Sequence, residues 1–319
     1  NLCYTFSMIK IIALDIGGTQ MRAALFPVNS HTPDVVRRIP TVSLEEDSLS
    51  RLIALIHSIW PTEDDVAAIG IAVPGPTDPY AGIIIEAPNI PGWENLPLRK
   101  TLETEFGVPV ALGNDANLAA VGEWKYGAGQ GHHHMLYLTV STGIGGGVII
   151  NDQLLLGQRG LAGELGHIPV DPNGPVCGCG RKGHLEAIAS GTGIARWVME
   201  QLEKGAASSM PAGQKISAKQ VATAAHEGDA LALTALNRGA FTLGQAIAGF
   251  LSTFNSTAVI IGGGVSQSLD LMYDSLMEGI KQGLMTPHYL DDLVIARAAL
   301  GDDAGIIGAS VYAQSVIKA

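Results

Sequence analysis

The chain of 319 residues is 47% hydrophobic and 15% charged, which supplies apolar material for two ordinary domains and argues against disorder. A net charge of −11 at pH 7 excludes the basic stripe that nucleic-acid backbones need, but leaves room for a nucleotide held by backbone N–H groups. Three cysteines are too few for a disulfide framework, and no apolar run is long enough to span a bilayer. A cytoplasmic protein with no membrane or nucleic-acid partner is expected. Met8 reads as the natural start, with residues 1–7, Cys3 among them, playing no part in the fold.

The first element in chain order is a hairpin. Residues 9–14 are β-prone, "GGT" at 17–19 permits a tight reversal, and residues 21–28 continue as a second strand. Residues 44–60 carry helical spacing, with Glu45, Glu46 and Asp47 expected in the first turn, where negative charge is favourable. A strand over 66–73 ends at "PGP", a helix follows over 98–106, and another strand over 108–112. "NDANLAAVGEWKYG" then opens a helix, with Asn114 or Asp115 placed to cap it.

The second half begins as the first does. Residues 135–151 read as strand, glycine turn, strand, preceded by three histidines at 132–134 in a solvated turn with no acidic or thiol partner nearby in sequence. A long helix is expected over 230–254, then a strand that meets glycines in "TAVIIGGGVS", then a closing helix over 305–319. Two hairpins about 125 residues apart suggest duplicated α/β halves on mixed sheets, with a ligand cleft between them.

Three glycine loops sit at strand ends, where a backbone can approach an anion closely. Gly17, Gly18 and Thr19 form the first, and Asp15 at the strand end is placed to hold a water of a bound magnesium ion. Thr142 and Gly143 open the second, "STGIGGG", and Gly263 and Gly264 belong to the third, "GGGVS". Neither a Walker loop nor a Rossmann fingerprint is present. A further stretch, "GELGHIPVDPNGPVCGCGRKGHLE", gathers two histidines, two cysteines and two glutamates over 163–186. Taken by itself it fits a metal clip or a grip on a polar substrate.

As a set, "DIGGT", "NDANLAAVGE", "STGIGGG" and "GELGH…CGCGRKGHLEAIASG" resemble the ROK family (repressor, open reading frame, kinase) of sugar kinases and repressors. The resemblance runs from Ile11 to about Gly193 and resumes at "IIGGGVS". It implies the duplicated, ribonuclease H-like fold of actin and the hexokinases, with a central cleft. Residues 8–115 and 301–319 would form a small N-terminal α/β domain with a closing helix, and residues 116–300 a large α/β domain carrying a zinc loop. A repressor of the family carries a winged helix-turn-helix ahead of the first loop. Asp15 lies seven residues after Met8, so the kinase branch is expected.

The resemblance also implies roles. Asp115 would be the base that aims a sugar hydroxyl at the γ-phosphate of ATP–Mg²⁺, a task that needs little proton removal because the transition state is loose. A carboxylate at a helix start is favoured in its ionised form. Gly75, Asn89, Asn114, Asp115, Glu164, His167 and Glu186 would hold the sugar, since amides and carboxylates pair with several hydroxyls at once. Trp93 is the tryptophan placed to shape that pocket. His167, Cys177, Cys179 and His184 match the family's zinc site, except that position 184 is histidine where the pattern has cysteine. Such a zinc would be structural, with His167 able to turn its second ring nitrogen to the sugar.

Glucose phosphorylated at the 6-hydroxyl is the favoured reaction, because "PNIPGW", "GELGH" and Glu186 resemble the family's glucokinases. Fructose or mannose kinases, N-acetylhexosamine kinases and a catalytically silent sugar-responsive regulator are the alternatives. ATP or polyphosphate could be the donor, and the resemblance suggests a homodimer.

Overall fold

A computed structural model describes residues 9–317. The expectations for residues 1–7 and Met8 fall outside the described residues. Contacts group the described residues into two units: one holds those up to Gln130, Leu154–Ala162 and those from Asp302, the other Gly131–Gln153 and Gly163–Gly301.

In the first unit the expected hairpin is formed by β1 (Ile9–Ile16) and β2 (Gln20–Pro27), and β3 (Val35–Pro40) extends it antiparallel to β2. Helix α1 (Ser48–His57) follows, shorter than the spacing suggested. Asp47 stands outside it as the cap, accepting from Leu49 N at 3.0 Å and Ser50 N at 2.9 Å. The acidic run therefore precedes the helix instead of forming its first turn, because a capping carboxylate needs extended backbone. Then come β4 (Asp65–Val73), a small antiparallel sheet of β5 (Thr77–Asp78), β6 (Ile83–Glu86) and β7 (Glu94–Leu96), helix α2 (Leu98–Phe106), β8 (Val110–Asn114) and helix α3 (Asp115–Tyr126). The main sheet has the order β3-β2-β1-β4-β8, with β1, β4 and β8 parallel. Ile12, Leu14, Ile69, Ile71 and Leu112 from its parallel strands are wholly buried, which fixes where the strand ends, and so their loops, must lie.

The second unit repeats the arrangement. β9 (His134–Val140) and β10 (Ile144–Ile150) form the second hairpin, with β11 (Gln153–Leu154) beside it. Helices α4 (Leu185–Ala189), α5 (Gly191–Glu203), α6 (Ala218–His226) and α7 (Ala230–Phe254) precede β12 (Ala258–Gly262), helix α8 (Leu269–Gly283) and β13 (Val294–Arg297). The sheet order is β11-β10-β9-β12-β13, again with the hairpin antiparallel and the last two strands parallel to the first. Counted along the chain, both sheets read third, second, first, fourth, fifth. The duplicated α/β fold is thus present in strand order as well as in the glycine motifs.

Helix α9 (Ala304–Gln314) returns to the first unit and packs on α3 and β4, ending before the expected 319. That packing groups α3 with the first unit, past the expected boundary at 115. Helices α5, α6 and α8 carried no reading in the sequence; α5 opens "GTG", which by itself resembles a turn. Among the described residues no helix is long and apolar enough to cross a membrane.

The 25-residue α7 depends on its cap. Asp229 accepts from Ala232 N at 2.9 Å, Ser209 N at 2.6 Å, Ser208 Oγ at 2.8 Å and Ser209 Oγ at 2.9 Å. Burial would raise its carboxyl, but these donors outweigh it and bring it from 3.8 to about 2. A depressed carboxyl stabilises the fold above its unfolded value and ceases to do so as pH falls through the folded one. Asp229→Ala is expected to cost about 1–2 kcal/mol at pH 7, read by urea unfolding. The gap to the parent should narrow between pH 3.8 and about 2; a gap independent of pH would show that the carboxylate is not the source.

Candidate functional site

Within the first unit, the cross-strand register sets Arg22 opposite Asp15. Arg22 Nε and Nη2 reach Asp15 Oδ2 at 3.0 and 2.5 Å, and Nη1 reaches Asp303, just before α9, at 2.8 Å. Burial lowers the Arg22 guanidinium, but Asp15 and then Asp303 outweigh it, and the net shift is upward. Asp15 is therefore oriented through one oxygen by an arginine that also ties down the closing helix. The sequence reading missed Arg22; the signal for it was the two-residue periodicity of β2 counted back from the "GGT" turn.

The turn itself is held by Gly17 N to Gln20 O at 2.8 Å and by Thr41 N to Thr19 O at 2.9 Å. Asn89 packs directly on it, since a Cβ on Gly18 would lie 2.7 Å from the Asn89 Cβ. An expected sugar ligand and an expected phosphate loop are thus neighbours. Asn114 caps α3, accepting from Ala116 N at 3.0 Å and Asn117 N at 3.2 Å, while its Nδ2 donates to the Gly75 carbonyl at 3.2 Å. Asp115 is the first residue of α3, half-buried, and accepts from Ala116 N at 2.7 Å. Gly75, Asn114 and Asp115 are brought together at the C-terminal ends of β4 and β8, where parallel strands present ligand sites. Trp93, in the same loop as Asn89, is 4% exposed and packs into the hydrophobic core.

In the second unit, Thr142 and Gly143 lie in the β9–β10 turn, closed by Ser141 N to Gly143 O at 2.9 Å. Gly263 packs against the carbonyl of Val140, the last residue of β9, so the second and third glycine loops meet at one strand end. Gly264 is exposed beside it. Glu186, in the first turn of α4, crosses to the same turn and accepts from Ile144 N at 3.0 Å. Any side chain at Gly143 would overlap that carboxylate. Glu186 therefore connects the glycine turn to the cysteine loop.

That loop gathers four donors. His167, Cys177, Cys179 and His184 bring their ligand atoms within 4.8 Å of one another. Cys177 Sγ stands 3.6 Å from His167 Nδ1, and Cys179 Sγ 3.2 Å from His184 Nδ1. Donors of a tetrahedral zinc stand about 3.3–3.8 Å apart, so this set fits that ion. Histidine at 184 is accommodated because it turns in Nδ1, the ring nitrogen nearer the backbone. His167 directs Nε2 toward Glu164, 3.9 Å from Oε2. Burial first, then Glu186, push the Cys177 thiol up to about 12; a coordinated thiol is deprotonated outright, so a cation would reverse that shift. The three histidines at 132–134 are not without a carboxylate: His133 Nδ1 meets Asp152 at 2.8 Å from the far end of the hairpin, though both are exposed.

The ROK family sequence pattern matches residues 11–316. The chain belongs to the ROK family. It is 38% identical over 316 residues to a glucokinase of Thermotoga maritima, covering 97% of this chain and 98% of that one. It is 37% identical over 311 residues to an N-acetylmannosamine kinase of Shigella flexneri, covering 96% and 99%. Among solved structures, a ROK family glucokinase from Streptomyces griseus in complex with glucose and AMPPNP superposes with a TM-score of 0.78 at 32% identity, covering 96% and 99%. The doubly repeated sheet is thus the sugar-kinase fold of this family.

Proposed function

We propose that the chain is an ATP-dependent hexose kinase that transfers the γ-phosphoryl group to the 6-hydroxyl of glucose, with Asp115 as base. The observation that carries this reading is Asp115 at the start of α3, beside Asn114 and Gly75, in a chain similar along its length to a glucokinase solved with glucose and a nucleotide analogue. Glu164, His167 and Glu186 would complete the hexose contacts with Asn89 and Asn114. Gly17, Gly18, Thr19, Thr142, Gly143, Gly263 and Gly264 would carry the nucleotide on backbone N–H groups. Asp15, oriented by Arg22, would hold through water the magnesium ion that neutralises the phosphates.

Asp115 acts chiefly by position. Its carboxylate accepts from the 6-hydroxyl and aims that oxygen at the γ-phosphorus, and negative charge is favourable at a helix start. His167, Cys177, Cys179 and His184 would hold a structural zinc, which fixes the His167 tautomer and leaves Nε2 for a sugar hydroxyl. The enzyme is proposed to be cytoplasmic and homodimeric.

The similarity to the N-acetylmannosamine kinase supports a second reading with the same chemistry and a different sugar. A coupled assay with ATP or polyphosphate over glucose, fructose, mannose and the N-acetylhexosamines decides between them. Glucose is expected to give the highest kcat/KM. A preference for an N-acetylhexosamine would replace the substrate, and hexose binding without turnover would replace the enzyme by a regulator.

A further inference from the structure

One guanidinium ties both ends of the segment that carries most of the metal donors. Arg196 lies on α5, half-buried. Its Nη1 donates to the Val176 carbonyl at 3.0 Å, and its Nη2 to the Ala187 carbonyl at 2.5 Å. Val176 is the residue before Cys177, and Ala187 the residue after Glu186. The two carbonyls therefore bracket Cys177, Cys179, His184 and Glu186.

The loop has inner closures of its own, such as Cys177 N to Arg181 O at 2.7 Å and Gly183 N to Pro175 O at 2.8 Å. These shape its turns, whereas Arg196 spans it from end to end. The Ala187 carbonyl also lies near the end of α4, a helix of 5 residues whose last carbonyls need partners from outside and favour a cation. A planar fork satisfies two carbonyls at once; the ammonium of lysine, a point charge on a flexible stem, does not. Glu200 Oε1, 3.9 Å from Arg196 Nε and one turn along α5, steadies the side chain.

We propose that Arg196 is a positioning residue whose guanidinium holds the metal loop closed on Glu186, so that metal retention and hexose affinity are set together. The inference rests on the metal and sugar roles proposed above. It concerns a residue that touches neither ligand and acts through the backbone on either side of those that do.

The test compares the full-length, zinc-loaded parent with Arg196→Gln and Arg196→Lys. Zinc release to an excess of a colorimetric chelator is expected to be about 10–100-fold faster in Arg196→Gln, with Arg196→Lys between it and the parent. The KM for glucose should rise by about tenfold, while the KM for ATP and the kcat at saturating glucose stay within about twofold, the pattern of lost ground-state binding. Parental zinc release from either folded variant overturns the proposal, as does faster release with an unchanged KM for glucose. If Arg196→Gln does not fold, Arg196→Lys, which keeps the charge and the stem, decides by the same two readings. Should the parent turn over no hexose, the functional reading fails, and zinc release still decides the role of Arg196.

Discussion

Exchanging Asp115 for alanine is expected to lower kcat for hexose phosphorylation by about 10²–10⁴-fold, the range over which a positioned acid or base contributes. The fold should survive, because the cap of α3 belongs to its neighbour: Asn114 Oδ1 accepts from Ala116 N and Asn117 N whether or not the aspartate is present. The contacts of Asn114 to Gly75 and of Asn89 to Gly18 are likewise independent of it. Hexose affinity, read by calorimetry, should therefore fall far less than turnover. That split separates a residue acting on the reacting hydroxyl from one that only begins a helix. Turnover near the parental rate in a folded, sugar-binding variant would remove Asp115 from the chemistry.

The second large effect is expected at the cysteine loop. Stripping the metal with a chelator, or replacing Cys177 by alanine, should lower the melting temperature and raise the KM for glucose by at least about tenfold. The physical link is Glu186. Its Oε1 lies 3.1 Å from Cys177 Sγ and its Oε2 accepts from Ile144 N, so a shift of the loop would move the proposed sugar contact and the second glycine turn together. His167 would lose its fixed tautomer in the same event. Metal content measured by elemental analysis must accompany the assay. Parental glucose binding by demonstrably metal-free protein would separate the metal from the sugar site.

Much of this was legible in the sequence, for reasons that are local. A hairpin with glycines at its turn, an apolar strand that stops at a phosphate-type loop, and an Asn-Asp pair ahead of a helical run are short-range signals. Each was found where expected, within the usual drift of element ends: β8 begins at Val110 rather than 108, and α1 at Ser48 rather than 44. The four candidate metal donors were legible because they fall within 167–184, so spacing along the chain stands in for distance in space. The burial of Trp93 was not legible, because its place near Asn89 in sequence says nothing about which side of the turn faces the core. The pairing of His133 with Asp152 was invisible because it depends on the length of the intervening hairpin.

What the sequence by itself determined, then, is the family, the doubling of the sheet and the chemical groups on offer, since these follow from residue type and near-neighbour spacing. What only the tertiary structure decided is which groups hold one another. Arg22 joins Asp15 to Asp303 across 281 positions, Glu186 reaches Ile144 across 42, and Arg196 reaches Val176 across 20. Strand register and helix packing set those contacts. They are fixed by burial of the whole core, which no short window of the chain contains.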